Sequence, residues 1–248
     1  ASGTLPNGKP VILKADGQVE VVAGTSIPTS FPLGPISTIQ SSTSYYVQVA
    51  FDPSEAGKLV AIYRDEGNSG HGTAVVGTVS GTSITFGSEY IFNSAEANYG
   101  IISFDPQTAG SFVIQFQDAA NSQHLYVVAG SRSGLGLTFG TKVLVDTCNS
   151  HVHMNIECDP VNAGKFVTVY RNEGSSNRGQ SRVGTISGTS ISLGSVVEFN
   201  GVSGGYYNSL AFDHTSSGKF IVAFYDLNNS GYGTGMVGTV SGTSVSYG

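Results

Sequence analysis

The sequence contains few charges, few cysteines and no tryptophan. Only 11% of its 248 residues are charged, and the net charge is −6 without any run of lysine or arginine. Nucleic-acid binding is therefore disfavoured, since neutralising phosphates requires clustered cations. No apolar run approaches the length of a membrane span. No signal peptide opens the chain, so we expect synthesis in a cytoplasm without a leader and no insertion into a membrane.

The two cysteines are Cys148 and Cys158. Cys158 stands in the place that the other repeats fill with Phe51, Phe104 and Phe212, which predicts a buried free thiol. A disulfide with Cys148 would require the intervening loop to fold back onto the strand, and the spacing alone leaves that alternative open.

Glycine is abundant, with 34 residues, and its positions repeat. The run Gly77–Ser83 returns as Gly184–Ser190 and as Gly238–Ser244, and a diverged copy contains Gly130 and Gly134. Successive copies lie 53 or 54 residues apart. Self-similarity at such a period indicates an array of one supersecondary unit.

A second marker, an aspartate turn, has the same period. It recurs at Phe51-Asp52-Pro53, Phe104-Asp105-Pro106, Cys158-Asp159-Pro160 and Phe212-Asp213-His214. Catalysis needs one site whereas folding needs every turn, so we interpret these aspartates as structural. Each marker has four copies, and a shortened copy precedes them, since Leu5–Lys9 matches the turn Phe51–Lys58. The chain therefore divides into five units, approximately 1–44, 45–98, 99–151, 152–205 and 206–248.

Each unit has the pattern of four short strands. In the second unit, β-branched and aromatic segments at 45–51, 58–64, 74–79 and 83–92 are separated by Gly, Pro, Asn and Ser. The sequence therefore predicts a single all-β domain over residues 1–248, a five-bladed β-propeller of four-stranded antiparallel blades. A short strand near Gly3-Thr4 is expected to close the ring beside the last unit.

The loops after the second strand of each unit share an aspartate or asparagine, and Asp16 begins the series. These side chains either cap the loop by accepting from backbone amides or form repeated contacts with sugar hydroxyls or cations. The candidate ligand-binding residues are Asp65, Asn68, Ser69, His71, Asp118, Asn121, Asn172, Asp226, Asn229 and Tyr232.

A second candidate site contains His151, His153, Asn155 and Glu157, which alternate on one side of a strand. Two imidazoles and a carboxylate are an acceptable set of ligands for a divalent metal. The other interpretation is a polar patch, in which His153 continues an aromatic ring formed by its counterparts Tyr46, Tyr99 and Tyr207. We expect no cofactor.

Catalytic signatures are missing. The sequence has no Gly-x-Ser-x-Gly elbow, His-Glu-x-x-His motif or phosphate-binding loop. Glycosidases place two carboxylates across a pocket, whereas Glu157 is a single carboxylate on an inner strand. The sequence alone therefore predicts that the chain is not an enzyme and has no catalytic residues.

The runs Val76–Ser88 and Phe51–Asp65 resemble tandem repeats in tail-fibre and other virion-surface proteins of bacteriophages, particularly those of marine bacteria. The opening Leu5–Gly17 is similar to the start of small structural proteins of such phages. This resemblance implies a virion appendage or head decoration at the virion surface, outside the cell, with other virion proteins as partners.

The leading hypothesis from the sequence is thus a non-enzymatic virion-surface module that is structural or binds cell-surface glycans weakly and multivalently. Two alternatives stay open. One is a secreted carbohydrate-active enzyme with a central pocket, and the other is a bacterial surface lectin.

Overall fold

The computed structural model describes residues 11–15, 19–21, 34–147, 153–201 and 204–248. The chain forms two compact units, Ala1–Pro35 and Ile36–Gly248. In the first unit, β1 (Val11–Leu13) pairs antiparallel with β2 (Val19–Val21). The strand expected near Gly3-Thr4 lies outside the described residues.

The described part of the second unit has four antiparallel sheets in chain order, of which the first two share one long strand and are continuous as an eight-stranded sheet. The first contains β3 (Ser44–Phe51), β4 (Lys58–Asp65), β5 (His71–Ser80) and the start of β6 (Ser83–Phe104). The second contains the end of β6, β7 (Ser111–Asp118), β8 (His124–Ser133), β9 (Gly136–Phe139) and β10 (Val143–Asp146). The third contains β11 (Met154–Cys158), β12 (Lys165–Asn172), β13 (Arg178–Ser187), β14 (Ser190–Leu193) and β15 (Val197–Asn200). The fourth contains β16 (Tyr206–Phe212), β17 (Lys219–Asp226), β18 (Tyr232–Ser241) and β19 (Ser244–Tyr247).

Repeated glycines explain the tight hairpins between the third and fourth strands. Gly81, Gly188 and Gly242 have φ angles of 58°, 61° and 62°. Such left-handed angles favour glycine because it has no Cβ to clash with the backbone. The first repeat marker is therefore a turn requirement, and the all-β antiparallel fold that it predicts is confirmed.

One strand differs from the prediction. The sequence predicts that the fourth strand of the second unit ends near residue 92. In the structure this strand, β6, is 22 residues long in total and ends at Phe104. Its first half pairs with β5 and its second half with β7. The predicted unit boundary at 98/99 therefore falls within a strand, because no glycine or proline interrupts the extended chain between residues 88 and 98.

The hydrophobic core lies between consecutive sheets. Val60 and Ile62 of the first sheet pack with Phe112, Ile114 and Phe116 of the second. Equivalent clusters join the second sheet to the third and the third to the fourth. Each sheet thus depends on its neighbours for burial, as repeat arrays do.

Cys158 belongs to the cluster between the second and third sheets and is a buried free cysteine, as predicted. Its thiol has a pKa raised well above the ordinary value by burial. Cys148 lies outside the described residues.

The aspartate turns are structural and also connect the sheets. Asp105 Oδ1 accepts from Gln107 N of its own turn at 3.0 Å, while Oδ2 accepts from Gly164 N of the next sheet at 2.8 Å. Among the segments that the structure describes, no helix has the length and hydropathy needed to cross a bilayer.

Candidate functional site

The first strands of the four sheets lie beside one another and carry aromatic side chains at the end where the loops between second and third strands lie. We name this group the axial aromatic cluster. It consists of Tyr45, Tyr46, Tyr99, His153, Tyr206 and Tyr207, together with Tyr225 of the second strand of the fourth sheet, whose ring contacts Tyr207.

Three tyrosines of the cluster have an unusual backbone conformation. Tyr46, Tyr99 and Tyr207 each have a φ of 54°. Each also lies where the register between the first and second strands of its sheet shifts. A left-handed conformation is rare for a bulky residue, and bulges and such strain concentrate at sites where a side chain must be aimed. The fold thus holds three tyrosines at equivalent positions in a strained geometry.

The part of the cluster on the first two sheets is built around two tyrosines whose rings are in contact at an interplanar angle of 45°. The ring centroids of Tyr46 and Tyr99 are 4.4 Å apart. The guanidinium of Arg64 lies 5.2 Å from the Tyr45 ring centroid and 5.9 Å from that of Tyr46, within cation–π range. Burial and the hydrogen bond with Tyr99 raise the pKa of Tyr46, so its hydroxyl stays protonated and able to donate at neutral pH.

The part on the last two sheets is arranged around His153. Its ring meets Tyr206 and Tyr207 edge-on, at centroid distances of 5.2 and 4.7 Å. Its Nδ1 accepts from Tyr207 N at 2.9 Å, which fixes the imidazole. Arg171 lies 4.3 Å from the Tyr206 centroid, and Tyr207 itself is 68% exposed.

Glutamates accompany both arginines. Arg64 forms ion pairs with Glu66 and, at 3.5 Å, with Glu96. Arg171 forms an ion pair with Glu173. The hydrogen bond that Arg64 donates to Glu66 raises the pKa of Arg64. The two cations are therefore largely neutralised and act mainly as partners of the aromatic rings.

Replacing Tyr207 by glycine tests whether its conformation is strained. Glycine adopts φ near 54° without a Cβ clash, and the exposed ring contributes little burial. We expect Tyr207→Gly to keep or raise the thermal unfolding midpoint by about 2 °C, since ~0.5–1 kcal/mol corresponds to a few degrees in a chain of this size. Differential scanning calorimetry measures the change. A fall of the midpoint by 5 °C or more would mean that the ring is structural.

The aspartates and asparagine predicted to bind ligand cap short 3-10 turns. Asp65 Oδ1 accepts from Gly67 N at 2.9 Å, and Asp118 Oδ1 accepts from Ala120 N at 3.1 Å. Both aspartates are buried. Equivalent caps are made by Asn172 to Ser175 N and by Asp226 to Asn228 N. The structure thus gives these side chains the capping role that the sequence allows.

The other predicted ligand residues surround these turns. Asn68, Ser69, Asn121, Asn229 and Tyr232 are exposed, and His71 is half-buried. Two of them serve their own loop, since Asn121 Nδ2 donates to Asp118 Oδ2 at 2.5 Å and Asn229 Nδ2 donates to Thr234 Oγ1 at 3.4 Å. A role in binding remains a prediction for this set.

Of the second candidate site, the structure describes His153, Asn155 and Glu157. His151 lies outside the described residues. His153 is buried in the axial aromatic cluster, whereas Glu157 accepts from Phe212 N through Oε2 at 3.0 Å. Among the described residues, no group of three His, Cys, Asp or Glu side chains is arranged to hold a metal ion.

No family model and no curated protein matches the sequence. Solved structures do resemble the fold. An intramolecular trans-sialidase from Ruminococcus gnavus, crystallised with oseltamivir carboxylate, matches with a TM-score of 0.51 at 15% identity, over 72% of this chain and 38% of that one. The NanB sialidase from Streptococcus pneumoniae matches with a TM-score of 0.51 at 15% identity, over 74% of this chain and 28% of that one.

A weaker likeness connects the chain to an exo-beta-1,3-galactanase from Phanerochaete chrysosporium, with a TM-score of 0.45 at 8% identity, over 84% of this chain and 50% of that one. The chain spans about a third of the length of the two sialidases that it resembles. At these identities the likeness concerns the fold: antiparallel sheets arranged as in glycosidases of the propeller type.

These comparisons overturn the prediction that the chain is not an enzyme. The fold that it shares is found in sialidases, so neither the repeat architecture nor the structural role of the repeated aspartates is a reason to exclude an enzyme. The argument from missing motifs is equally weak, because motifs such as the serine elbow belong to other folds.

Sequence reasoning did not select the tyrosines of the axial aromatic cluster as binding residues. Their equivalence was visible, since Tyr46, Tyr99 and Tyr207 align with His153. The missing information was the φ of 54°, which nothing in the identity of a tyrosine reveals.

Proposed function

We propose that this chain is a carbohydrate-active or glycan-binding protein, and that the axial aromatic cluster is its sugar-contacting surface. The observation that carries the proposal is the set of three equivalent tyrosines with a φ of 54°. A protein that needed only a packed inner wall would have no use for backbone strain at these positions.

Tyrosine suits sugar recognition for a physical reason. The C–H face of a pyranose is apolar and packs on an aromatic ring, while hydroxyls at the ring edge form hydrogen bonds with polar tips such as the phenol oxygen. Tyr207 presents a ring that is 68% exposed, and Tyr45 one that is 48% exposed. Two such platforms on different sheets would contact more than one sugar unit.

The charges of the cluster favour neutral glycans. A sugar carboxylate is usually recognised by a bidentate arginine. Here Arg64 and Arg171 already form ion pairs with Glu66 and Glu173. An acidic sugar would have to displace a glutamate from each arginine, whereas a neutral sugar needs only the rings and hydroxyls.

A glycan-array screen of the multivalently displayed chain tests the proposal, because multivalent display raises avidity for weak single contacts. We expect the wild type to bind neutral glycans in preference to sialylated ones and Tyr207→Ala to lose that signal. Asp226→Ala, which alters a loop cap, is the companion variant. Loss in Asp226→Ala with retention in folded Tyr207→Ala would place the ligand on the loops instead.

We further propose that the array is a five-bladed, closed propeller. Five repeat units are counted in the sequence, while the fourth sheet of the second unit leaves Ile221 (46%) and Val237 (53%) exposed. The counterparts of these residues, Val167 and Val183, are buried against the next sheet. The proposal requires one more blade to cover the fourth sheet.

The variant Ile221→Asp tests whether a further blade covers the face of the fourth sheet that carries Ile221. In a closed ring the new carboxylate is buried without a partner, and we expect a loss of about 2–4 kcal/mol, or about 8 °C in the unfolding midpoint. The matched variant Val167→Asp, at a face that is buried between described sheets, calibrates the full effect. An unchanged midpoint for Ile221→Asp beside a large fall for Val167→Asp would show an open array.

The only support for a location of this protein is the resemblance of Val76–Ser88 and Phe51–Asp65 to phage virion-surface repeats. On that ground we propose a virion-surface location, with other virion proteins as partners. Mass spectrometry of gradient-purified virus particles is the test, and repeated absence of peptides from this chain would refute it.

A further inference from the structure

The other end of the inner strands, beside the aspartate turns, contains a cavity of about 260 Å³. Residues of all four sheets contribute to its lining. Most of the wall is apolar and is formed by Phe51, Phe104, Pro53, Pro106 and Pro160. Glu157, Cys158 and His214 complete it.

These last three residues are departures from the repeat. At the position of Glu157 the other units have Ala50, Ser103 and Ala211. At the position of Cys158 they have phenylalanine, and at that of His214 they have proline. All three departures line one cavity, one providing a carboxylate, one an imidazole, and one the space left by a phenylalanine ring.

Glu157 retains capacity to bind a ligand. Its Oε2 accepts from Phe212 N at 3.0 Å, which holds the side chain against the fourth sheet. The net shift of its pKa is upward, because burial outweighs the opposing effects of the Phe212 amide and the imidazole of His214. Of the described residues that line the cavity, Glu157 is the only one with a carboxylate.

The turn aspartates beside the cavity do not compete with Glu157. Asp105 accepts from Gln107 N and Gly164 N. Asp159 accepts from Val161 N at 2.9 Å and from Asn162 Nδ2 at 2.7 Å. Asp213 accepts from Thr215 N at 2.9 Å and from Thr215 Oγ1 at 2.7 Å. Donors of the turns therefore occupy these aspartates, and Glu157 is the carboxylate of the lining itself.

We propose that this cavity is a second binding site, for a primary ammonium group on a compact apolar body. The ammonium would pair with Glu157, a charge-assisted hydrogen bond of the stronger kind. The body would fill the space between the prolines and phenylalanines. A volume of about 260 Å³ has room for a small ring or a short chain, such as that of a compact amine or the end of a lysine side chain.

Two small ligands of the same shape test the proposal. Cyclohexylammonium has the charge and cyclohexanol lacks it, and each is titrated into the full chain by ligand-observed NMR. We expect the wild type to bind the amine at least ten-fold more tightly than the alcohol. Glu157→Gln preserves the acceptor for Phe212 N and should abolish the preference. Equal binding of the two ligands by the wild type, or a preference that survives in Glu157→Gln, overturns the proposal.

The repeat itself provides further variants. Glu157→Ala introduces the residue that Ala50 and Ala211 provide in other units, and Cys158→Phe restores the repeat phenylalanine. Both should fold, and both should lose the amine. Titration with Nα-acetyl-lysine methylamide distinguishes the two sources of the ammonium group. Tighter binding than that of cyclohexylammonium would identify a lysine side chain as the ligand, and weaker binding would identify a small free amine.

The site is independent of the proposed sugar surface. Tyr207→Ala should lose glycan binding and retain cyclohexylammonium binding, and Glu157→Gln should show the reverse. Failure on the glycan array would therefore leave the amine titration fully informative.

Discussion

Arg132→Ala is expected to lower the thermal unfolding midpoint by about 10 °C at pH 7. Arg132 Nε donates to Asp52 Oδ2 at 2.7 Å, and its Nη2 lies 2.8 Å from Glu55 Oε2. The side chains of Arg132 and Asp52 are 4% and 0% exposed. Removing one partner of a buried pair leaves an uncompensated charge and costs about 3–5 kcal/mol, and each kcal/mol corresponds to ~2–4 °C in a domain of this size.

The effect should depend on pH. Burial raises the pKa of Asp52, but hydrogen bonds from Ser54 and Arg132 outweigh it and the net shift is downward. A lowered pKa stabilises the fold fully above the ordinary aspartate pKa of about 3.9, and this contribution is lost as the pH falls through the folded-state pKa. Calorimetry of wild type and variant should therefore show a midpoint difference that shrinks below about pH 4.

Glu55→Ala is the matched control, because Glu55 is half-exposed. Exposed ion pairs contribute about 0–1 kcal/mol, so its midpoint should change by less than 3 °C. A shift of similar size in Glu55→Ala and Arg132→Ala would show that burial of the pair is not the cause.

Gly194→Ala is expected to be similarly destabilising, for a steric reason. A Cβ at Gly194 would lie 1.7 Å from the carbonyl oxygen of Thr243, in the hairpin turn of the next sheet. Gly140 meets Thr189 O in the same way, at 1.8 Å. Because the obstacle is backbone, a whole hairpin must move, and overpacking of this kind costs about 3 kcal/mol or more. We expect the unfolding midpoint to fall by about 10 °C.

Gly233→Ala controls for the substitution itself. A Cβ there meets no atom within 4 Å, and its φ lies outside the left-handed region. The change should be neutral or stabilising by about 0.4–1 kcal/mol, since alanine restricts the unfolded chain. If calorimetry gave equal midpoints for Gly194→Ala and Gly233→Ala, close contact between consecutive sheets would not explain the regular spacing of Gly140 and Gly194.

The fold was largely readable because its signals are local and repeated. Turn glycines such as Gly81 and Gly188 recur because each hairpin needs φ near 60°, and the strands between them have a pattern visible in every unit. The continuity of β6 was not readable, since the sequence has no positive signal for a strand that serves two sheets. The divergence of the run Gly130–Gly134 is explained only by the structure. Arg132 of this run donates to Asp52, which lies 80 positions earlier in the chain.

The candidate site was harder to predict from the sequence than the fold, because the polar loop residues that the sequence singles out are not the residues that the geometry singles out. The loops attracted attention through polar residues such as Asp65 and Asp118, yet their carboxylates are occupied by backbone amides. Tyr207 was visible only as one member of an aligned aromatic position. Its exposure and its positive φ arise from a register shift between strands, which depends on pairing partners distant in sequence.

The most direct test of the sugar-binding proposal is calorimetric titration of a neutral glycan, chosen from the array, into wild type, Tyr207→Ala and Tyr232→Ala. The two tyrosines are almost equally exposed, at 68% and 64%. Only Tyr207 belongs to the axial aromatic cluster, while Tyr232 lies beside a loop. We predict that Tyr207→Ala weakens binding at least ten-fold, about 1.4 kcal/mol, and that Tyr232→Ala binds like the wild type. Loss of binding in Tyr232→Ala, with Tyr207→Ala unaffected, would contradict the proposal.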